Sequence, residues 1–231
     1  MAESAIPYAA PVQEHTADVR VRFMRRVYGH LAGAVAAFVL IEYFLFSTGL
    51  AYAIAEVVFG TSWLLILGGF ILISWLSSSV AHRATSPGAQ YAAYAALIVA
   101  ESLLFAPLLV IASLQGPPGV IADAALLSVL GFAGLSVVAL TSSRDFSALG
   151  AFLKWGAIVA LLTIVGAVLF GFALGTWFSV AMIAYAGAAI LYDTSKVLRT
   201  YPPDREVAAS MQLFASLALL FWYVLRLLSD R

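Results

Sequence analysis

The sequence predicts an all-α membrane protein with seven transmembrane helices. Three observations carry that prediction: an extreme apolar composition, seven apolar stretches of spanning length, and basic residues in alternate links only. Of 231 residues, 63% are hydrophobic and 10% charged, with a mean hydropathy of +1.00. A soluble domain is about half apolar and about a quarter charged. This chain lacks the polar residues to cover its own surface, so its surroundings are a lipid bilayer.

The same composition removes whole classes of function. There is no cysteine, hence no disulfide framework and no thiolate metal site. The formal net charge is zero, which argues against a nucleic-acid partner. Residues 1–19, "MAESAIPYAAPVQEHTADV", are expected to form a flexible tail. They lack the basic segment and apolar core of a cleaved signal peptide. Residues 20–231 are expected to form a single seven-helix transmembrane domain.

A spanning helix needs about 20 mostly apolar residues. The stretches fall at about 24–46, 61–80, 90–113, 121–141, 149–171, 176–197 and 207–228. "TSPG" at 85–88 and "QGPPG" at 115–119 carry turn chemistry between them. "YPPDRE" at 201–206 ends the sixth span, with Asp204 a candidate cap for the seventh. Small residues such as Gly131, Ala133 and Gly134, or Ala184, Gly187 and Ala188, read as close helix packing.

Lys and Arg set the expected orientation. Arg20, Arg22, Arg25 and Arg26 precede the first span, and Arg83 lies between the second and third. Arg144 and Lys154 flank the fourth link; Lys196, Arg199 and Arg205 flank the sixth. The links at about 47–60, 114–120 and 172–175 have neither residue. That alternation predicts a cytoplasmic N-terminus. Seven full spans then place the C-terminus outside, against the tendency of Arg226 and Arg231, so the last span is either re-entrant or tolerates two charges.

Four acids interrupt or border the apolar segments. A charge at a helix centre costs roughly 2.5–3.5 kcal/mol, so each needs a structural or functional reason. Asp123 opens the fourth span, where the helix dipole favours an anion. Glu42 lies about four residues from the outer end of the first span, within reach of the headgroups or of a transport path. Glu101 sits mid-span in "YAALIVAESLLFAPLLV"; it faces the bundle interior either as a packing hydrogen bond or as a relay group. Asp193, in "ILYDTSKVLRTY", is either an i,i+3 partner of Lys196 or a titratable gate near the end of its span. His30, in "YGHLAG", is a satisfied histidine or a proton-responsive group, and His82 is assigned to the interfacial link beside Arg83.

No Ser/His/Asp set, HExxH pair or phosphate-binding glycine loop is present, so an enzyme is disfavoured. A membrane hydrolase would need a metal held by residues such as His30, Glu42 or Glu101. No resident cofactor is expected.

Four segments together resemble a known family. "RRVYGHLAG" (25–33) opens the first span and "SSRDFSALGAFL" (142–153) follows the fourth. "AAILYDTSKV" (188–197) ends the sixth and "FWYVLRLL" (221–228) the seventh. In order and spacing over about 20–228, they resemble the transmembrane Bax inhibitor motif, or Bax inhibitor-1, family. The short tail and absence of cysteine look more like a bacterial member of the cytoplasmic (inner) membrane than an organellar one.

The resemblance implies six helices around a central C-terminal one, and a calcium leak that responds to pH. It implies two aspartates, on the sixth and seventh spans, that share a proton and close the cytoplasmic side, with an arginine on the second span as a latch. Asp193 matches the sixth-span aspartate. The seventh-span position falls at Ser216, in "LFASLALLF" (213–221), and no acid occurs from Val207 to Leu228. Arg83 is the nearest candidate latch, beyond the serines of "SWLSSSVAHR".

The expected ion-binding and pH-gating residues are therefore Asp193, Ser216 and Glu101, with Arg83, Lys196, Glu42 and His30 as secondary candidates. Asp193 and Glu101 are the candidate Ca²⁺ ligands, as a pair or as separate relay sites. The bilayer, Ca²⁺ and protons are the expected partners. A second reading is a regulatory protein that binds a membrane protease or a stress-response partner.

Overall fold

The computed structural model describes residues 10–83, 86–142 and 144–230. Among the described residues it is all helical. The long helices are α1 (Ala17–Ser47), α3 (Trp63–Arg83), α4 (Pro87–Gln115), α5 (Val120–Thr141), α6 (Leu149–Phe170), α7 (Thr176–Thr200) and α8 (Glu206–Ser229). All seven are long and apolar enough to cross a membrane. A shorter apolar helix, α2 (Leu50–Phe59), occupies the first link, which the sequence reading left without structure. At ten residues it rises about 15 Å, half a bilayer core, so a search for spans passes over it.

Helix ends follow local chemistry. Ser86 caps α4 by accepting from the Ala89 N–H at 3.2 Å, with Pro87 at the first helical position, so the expected turn is the start of a helix. Gly119 precedes α5 with φ +82°, a left-handed conformation that glycine adopts without steric cost. Asp204 does not cap α8. Arg205 holds the cap position and pairs with Asp204 at 3.7 Å, while Glu206 in the first turn reaches Arg26 at 3.4 Å.

α1 begins at Ala17, well before the expected 24. An apolar window finds the lipid-spanning part of a helix and misses an arginine-bearing extension. The tail is shorter than expected for the same reason. Val12 is fully buried in the core, its N–H donates to the Tyr201 carbonyl at 2.8 Å, and Val12–Glu14 form one 3₁₀ turn. Residues 1–9 of the expected tail lie outside the described residues.

Burial grades the helices. In their apolar stretches 67% of α8 and 56% of α4 is buried, against 11% of α3 and 17% of α6. α8 packs on α1, α3, α4, α5 and α7. Glycine permits the closest approaches at Gly150 and Gly156, where a Cβ would meet Tyr192 and Tyr185 of α7 at 2.9 Å, whereas at Gly131 and Gly187 a Cβ would make ordinary contact with Leu220 of α8 at 3.6 Å and Leu135 of α5 at 3.4 Å. Large exposed apolar side chains such as Leu65, Leu72, Trp75, Trp155 and Leu162 line the outer helices, as a lipid-facing perimeter requires. Arg226 is accommodated locally, its Nη2 donating to the Leu174 carbonyl at 2.8 Å in the α6–α7 link.

Candidate functional site

The site lies where α7 meets the start of α8, at the end of the bundle that carries most of the basic residues. α7 supplies Asp193, 7% exposed. α8 supplies Gln212 and Ser216, one turn apart and therefore on one face. The Ser216 hydroxyl donates to Asp193 Oδ2. Gln212 Nε2 donates to Oδ1 at 2.5 Å. Both carboxylate oxygens are thus held by α8, which offsets part of the cost of placing the group inside the bundle.

The network continues outward. Tyr201 lies just past the end of α7, and its hydroxyl donates to Gln212 Oε1 at 2.6 Å. His82 Nε2 lies 2.8 Å from the same hydroxyl, and His82 Nδ1 lies 2.8 Å from the Ser78 carbonyl. His82 is therefore part of α3, where the sequence reading had put it in a link. Burial, then the nearby Asp193 charge, raises the Tyr201 phenol above its usual range, so it remains a donor at physiological pH.

Donor counting fixes the polarity of this chain. Gln212 must turn its NH₂ to the carboxylate and its carbonyl to Tyr201. Tyr201 has one proton, and it is used on Gln212, so its oxygen must accept from His82. The Ser78 carbonyl can only accept. With Asp193 ionised, all the bonds are made together only when His82 carries protons on both nitrogens. Beside an ionised Asp193, a neutral His82 must release either the Ser78 carbonyl or Tyr201.

The other expected residues are distributed differently. Lys196 is not within ion-pair distance of Asp193; its Nζ sits 5.8 Å from the centre of the Tyr192 ring. Arg83 ends α3 exposed and makes no bond to Asp193. Glu101 is buried on α4, 6% exposed, and no hydrogen bond joins it to Asp193. Glu42 is buried on α1 with neither carboxylate oxygen hydrogen-bonded, which places it inside the protein and not among headgroups. His30 is satisfied at both nitrogens, by the Arg26 carbonyl at 2.8 Å and the Tyr91 hydroxyl at 2.7 Å. Asp123 is exposed in the first turn of α5.

Among the described residues no three His, Asp or Glu side chains converge as metal ligands. Neutral oxygens do gather nearby. The hydroxyls of Ser136 (α5) and Thr194 (α7) lie around that of Tyr28 (α1), all three buried and none in good hydrogen-bond geometry. Gln212 and Tyr201 were missed by sequence reasoning, although Gln212 is a lone amide in an apolar helix one turn from Ser216.

Fold and site together define a polytopic membrane protein with one buried, hydrogen-bonded carboxylate near the basic end of its bundle. The chain belongs to the Bax inhibitor-1 family: the family described as "Inhibitor of apoptosis-promoting Bax1" matches residues 20–231. It is also similar to the Golgi anti-apoptotic protein of vaccinia virus strains Lister, LC16m0 and LC16m8. Each is 25% identical over 237 aligned residues, covering 98% of this chain and 92% of the viral protein.

Proposed function

We propose that this protein is a pH-sensitive calcium (cation) leak whose gate is Asp193. The observation that carries the reading is the directional chain from His82 through Tyr201 and Gln212 to the buried Asp193 carboxylate. It spans α3, the α7–α8 link, α8 and α7, so a change in protonation at the bundle end is felt as a change in helix contacts inside. With His82 doubly protonated the chain is complete and α7 is tied to α8. Loss of that proton frees one bond. The hydroxyls of Tyr28, Ser136 and Thr194 offer neutral oxygens to a cation that leaves Asp193, and hard cations bind through oxygen.

The alternating Lys and Arg pattern supports an N-terminus in the cytoplasm, which would put Asp193 near the cytoplasmic mouth. A bacterial inner membrane is the compartment that the cysteine-free composition favours, while the relatives named above are viral. Neither the family's description nor the relatives' name is that of an enzyme, and the reading is non-enzymatic.

A second reading is supported by Ser216. Where the family resemblance implies a second aspartate this chain has a hydroxyl, and Ca²⁺ prefers several charged oxygens. The name of the viral relatives refers to suppression of cell death. On this reading the protein modulates a membrane-bound partner, such as a protease or a stress-response protein, and the polar chain holds the fold.

Purified protein in liposomes loaded with a calcium dye separates the two. Influx is measured between about pH 6 and about pH 8, across the range in which histidines titrate. The leak reading expects flux to rise with pH, and expects Asp193→Asn and His82→Gln to flatten that dependence. Flux no greater than in empty liposomes at every pH would overturn it. A stoichiometric membrane partner retained by Asp193→Asn would then support the regulatory reading.

A further inference from the structure

A cavity of about 460 Å³ lies apart from the Asp193 network, between α1, α4, α5 and α8. That is the size of a site for one small ligand. Its wall is apolar, with Phe38, Phe105, Phe214 and Phe221 contributing rings. α1 and α5 flank it without packing closely on one another. Its margin includes Val39, Tyr43 and Val129, which are 56%, 73% and 49% exposed, so it opens sideways into the bilayer.

Two of the polar side chains that line it are buried without a hydrogen-bond partner. Glu42, on α1, is 7% exposed, and neither oxygen has a hydrogen-bond partner. Ser128, on α5, is 1% exposed, and its hydroxyl also lacks one. A buried polar group without a partner is uncommon because it forfeits its hydration with no return. Glu42 is the only carboxylate among the residues that line the cavity.

We propose that this cavity binds a single-chain amphiphile with a protonated amine head, admitted laterally from the membrane. The ammonium donates to Glu42, the Ser128 hydroxyl lies on the facing wall as a further polar partner, and the aliphatic chain lies along the phenylalanines. Charge complementarity selects this occupant. A phospholipid would bring a phosphate toward a carboxylate and a second chain into a space made for one small ligand. A calcium ion would find one carboxylate and one hydroxyl where it takes six to eight oxygens. The site does not depend on the leak, since Glu42 makes no contact with Asp193.

The test is equilibrium binding of radiolabelled hexadecylamine to the full chain in lipid nanodiscs, with hexadecanol and palmitate as matched controls. Saturable binding of the amine at one per protein is expected, with affinity falling about tenfold or more in Glu42→Gln. Ala125→Phe, which fills the cavity and keeps the carboxylate, is expected to abolish binding. Equal affinity for hexadecanol would overturn the proposal, as would unchanged amine affinity in Glu42→Gln. Amine binding that survives Ala125→Phe would equally overturn it, because the ligand would then lie elsewhere.

Discussion

Replacing Gln212 with methionine tests the polar chain at its centre. The substitution preserves side-chain length and removes both functions of the amide, donation to Asp193 and acceptance from Tyr201. A hydrogen bond to a charged group is worth about 1.5–3 kcal/mol and a neutral one about 0.5–1.5 kcal/mol. Interhelical hydrogen bonds inside membranes are weaker, about 0.6 kcal/mol on average and about 1.7 at most. Two of them give roughly 1.2–3.4 kcal/mol. Asp193 retains Ser216 and Tyr201 retains His82, which favours the lower half, about 1–2 kcal/mol. The assay is reversible unfolding in mixed micelles, for Gln212→Met, Asp193→Asn and the double variant. The two residues share a bond, so their costs should fail to add by about 0.5 kcal/mol or more. Additive costs, or a Gln212→Met cost below about 0.5 kcal/mol, would show that the chain does not hold α7 to α8.

Two further expectations concern other parts of the bundle. Gly156→Ala would put a Cβ 2.9 Å from Tyr185 Cε2, and that ring is tethered by its hydroxyl to the Leu153 carbonyl at 2.9 Å. The overpacking should cost about 1–3 kcal/mol in the same unfolding assay and shrink in a Tyr185→Ala background; an unchanged cost there would mean that the ring is not the obstacle. In the α5–α6 link, the Ser147 N–H donates to Asp145 Oδ1 at 2.9 Å, and chiefly this bond holds the carboxyl below its usual range. A depressed carboxyl contributes stability above its unfolded value, near 3.9, and loses it as pH falls through the lower folded one. The Ser147 amide resonance should therefore titrate below about 3.9 and become flat in Asp145→Asn; titration at or above that value would contradict the bond.

The transmembrane helices were legible because crossing a bilayer imposes one strong condition, a long apolar run, and seven segments meet it. α2 was hidden because it meets only half of that condition. The docked stretch at Val12 was hidden because its anchors, a buried valine and one main-chain bond to Tyr201, have no periodicity to read. At the site, Asp193 was legible from its solvation cost and Ser216 from its register. Gln212 was within reach of the same argument, since four residues along a helix return to the same face. The contact from His82 to Tyr201 was not, because it joins residues 119 apart in sequence. No spacing rule reaches that far; only the packing of α3 beside α8 brings them together.

The departure at Ser216 changes what the site can do electrically. Two facing carboxylates would repel, and one proton shared between them would relieve the repulsion. Here α8 presents only donors to Asp193, a hydroxyl and an amide, so no like charge opposes its ionisation from that helix. On the leak reading, a pH response can then also enter from outside the pair. The hydrogen bonds offer one such route, because the chain from Asp193 ends on an imidazole set between the Ser78 carbonyl and the Tyr201 hydroxyl. On the proposed reading, a carboxylate and a distant histidine joined through Tyr201 and Gln212 would serve where the family resemblance implies a carboxylate pair. That arrangement makes Tyr201→Phe the sharpest separator of the two halves. It leaves Asp193 and His82 in place and removes the proton that links them. If gating is carried by this chain, it should uncouple the pH response while Asp193 remains bound to α8 through Ser216.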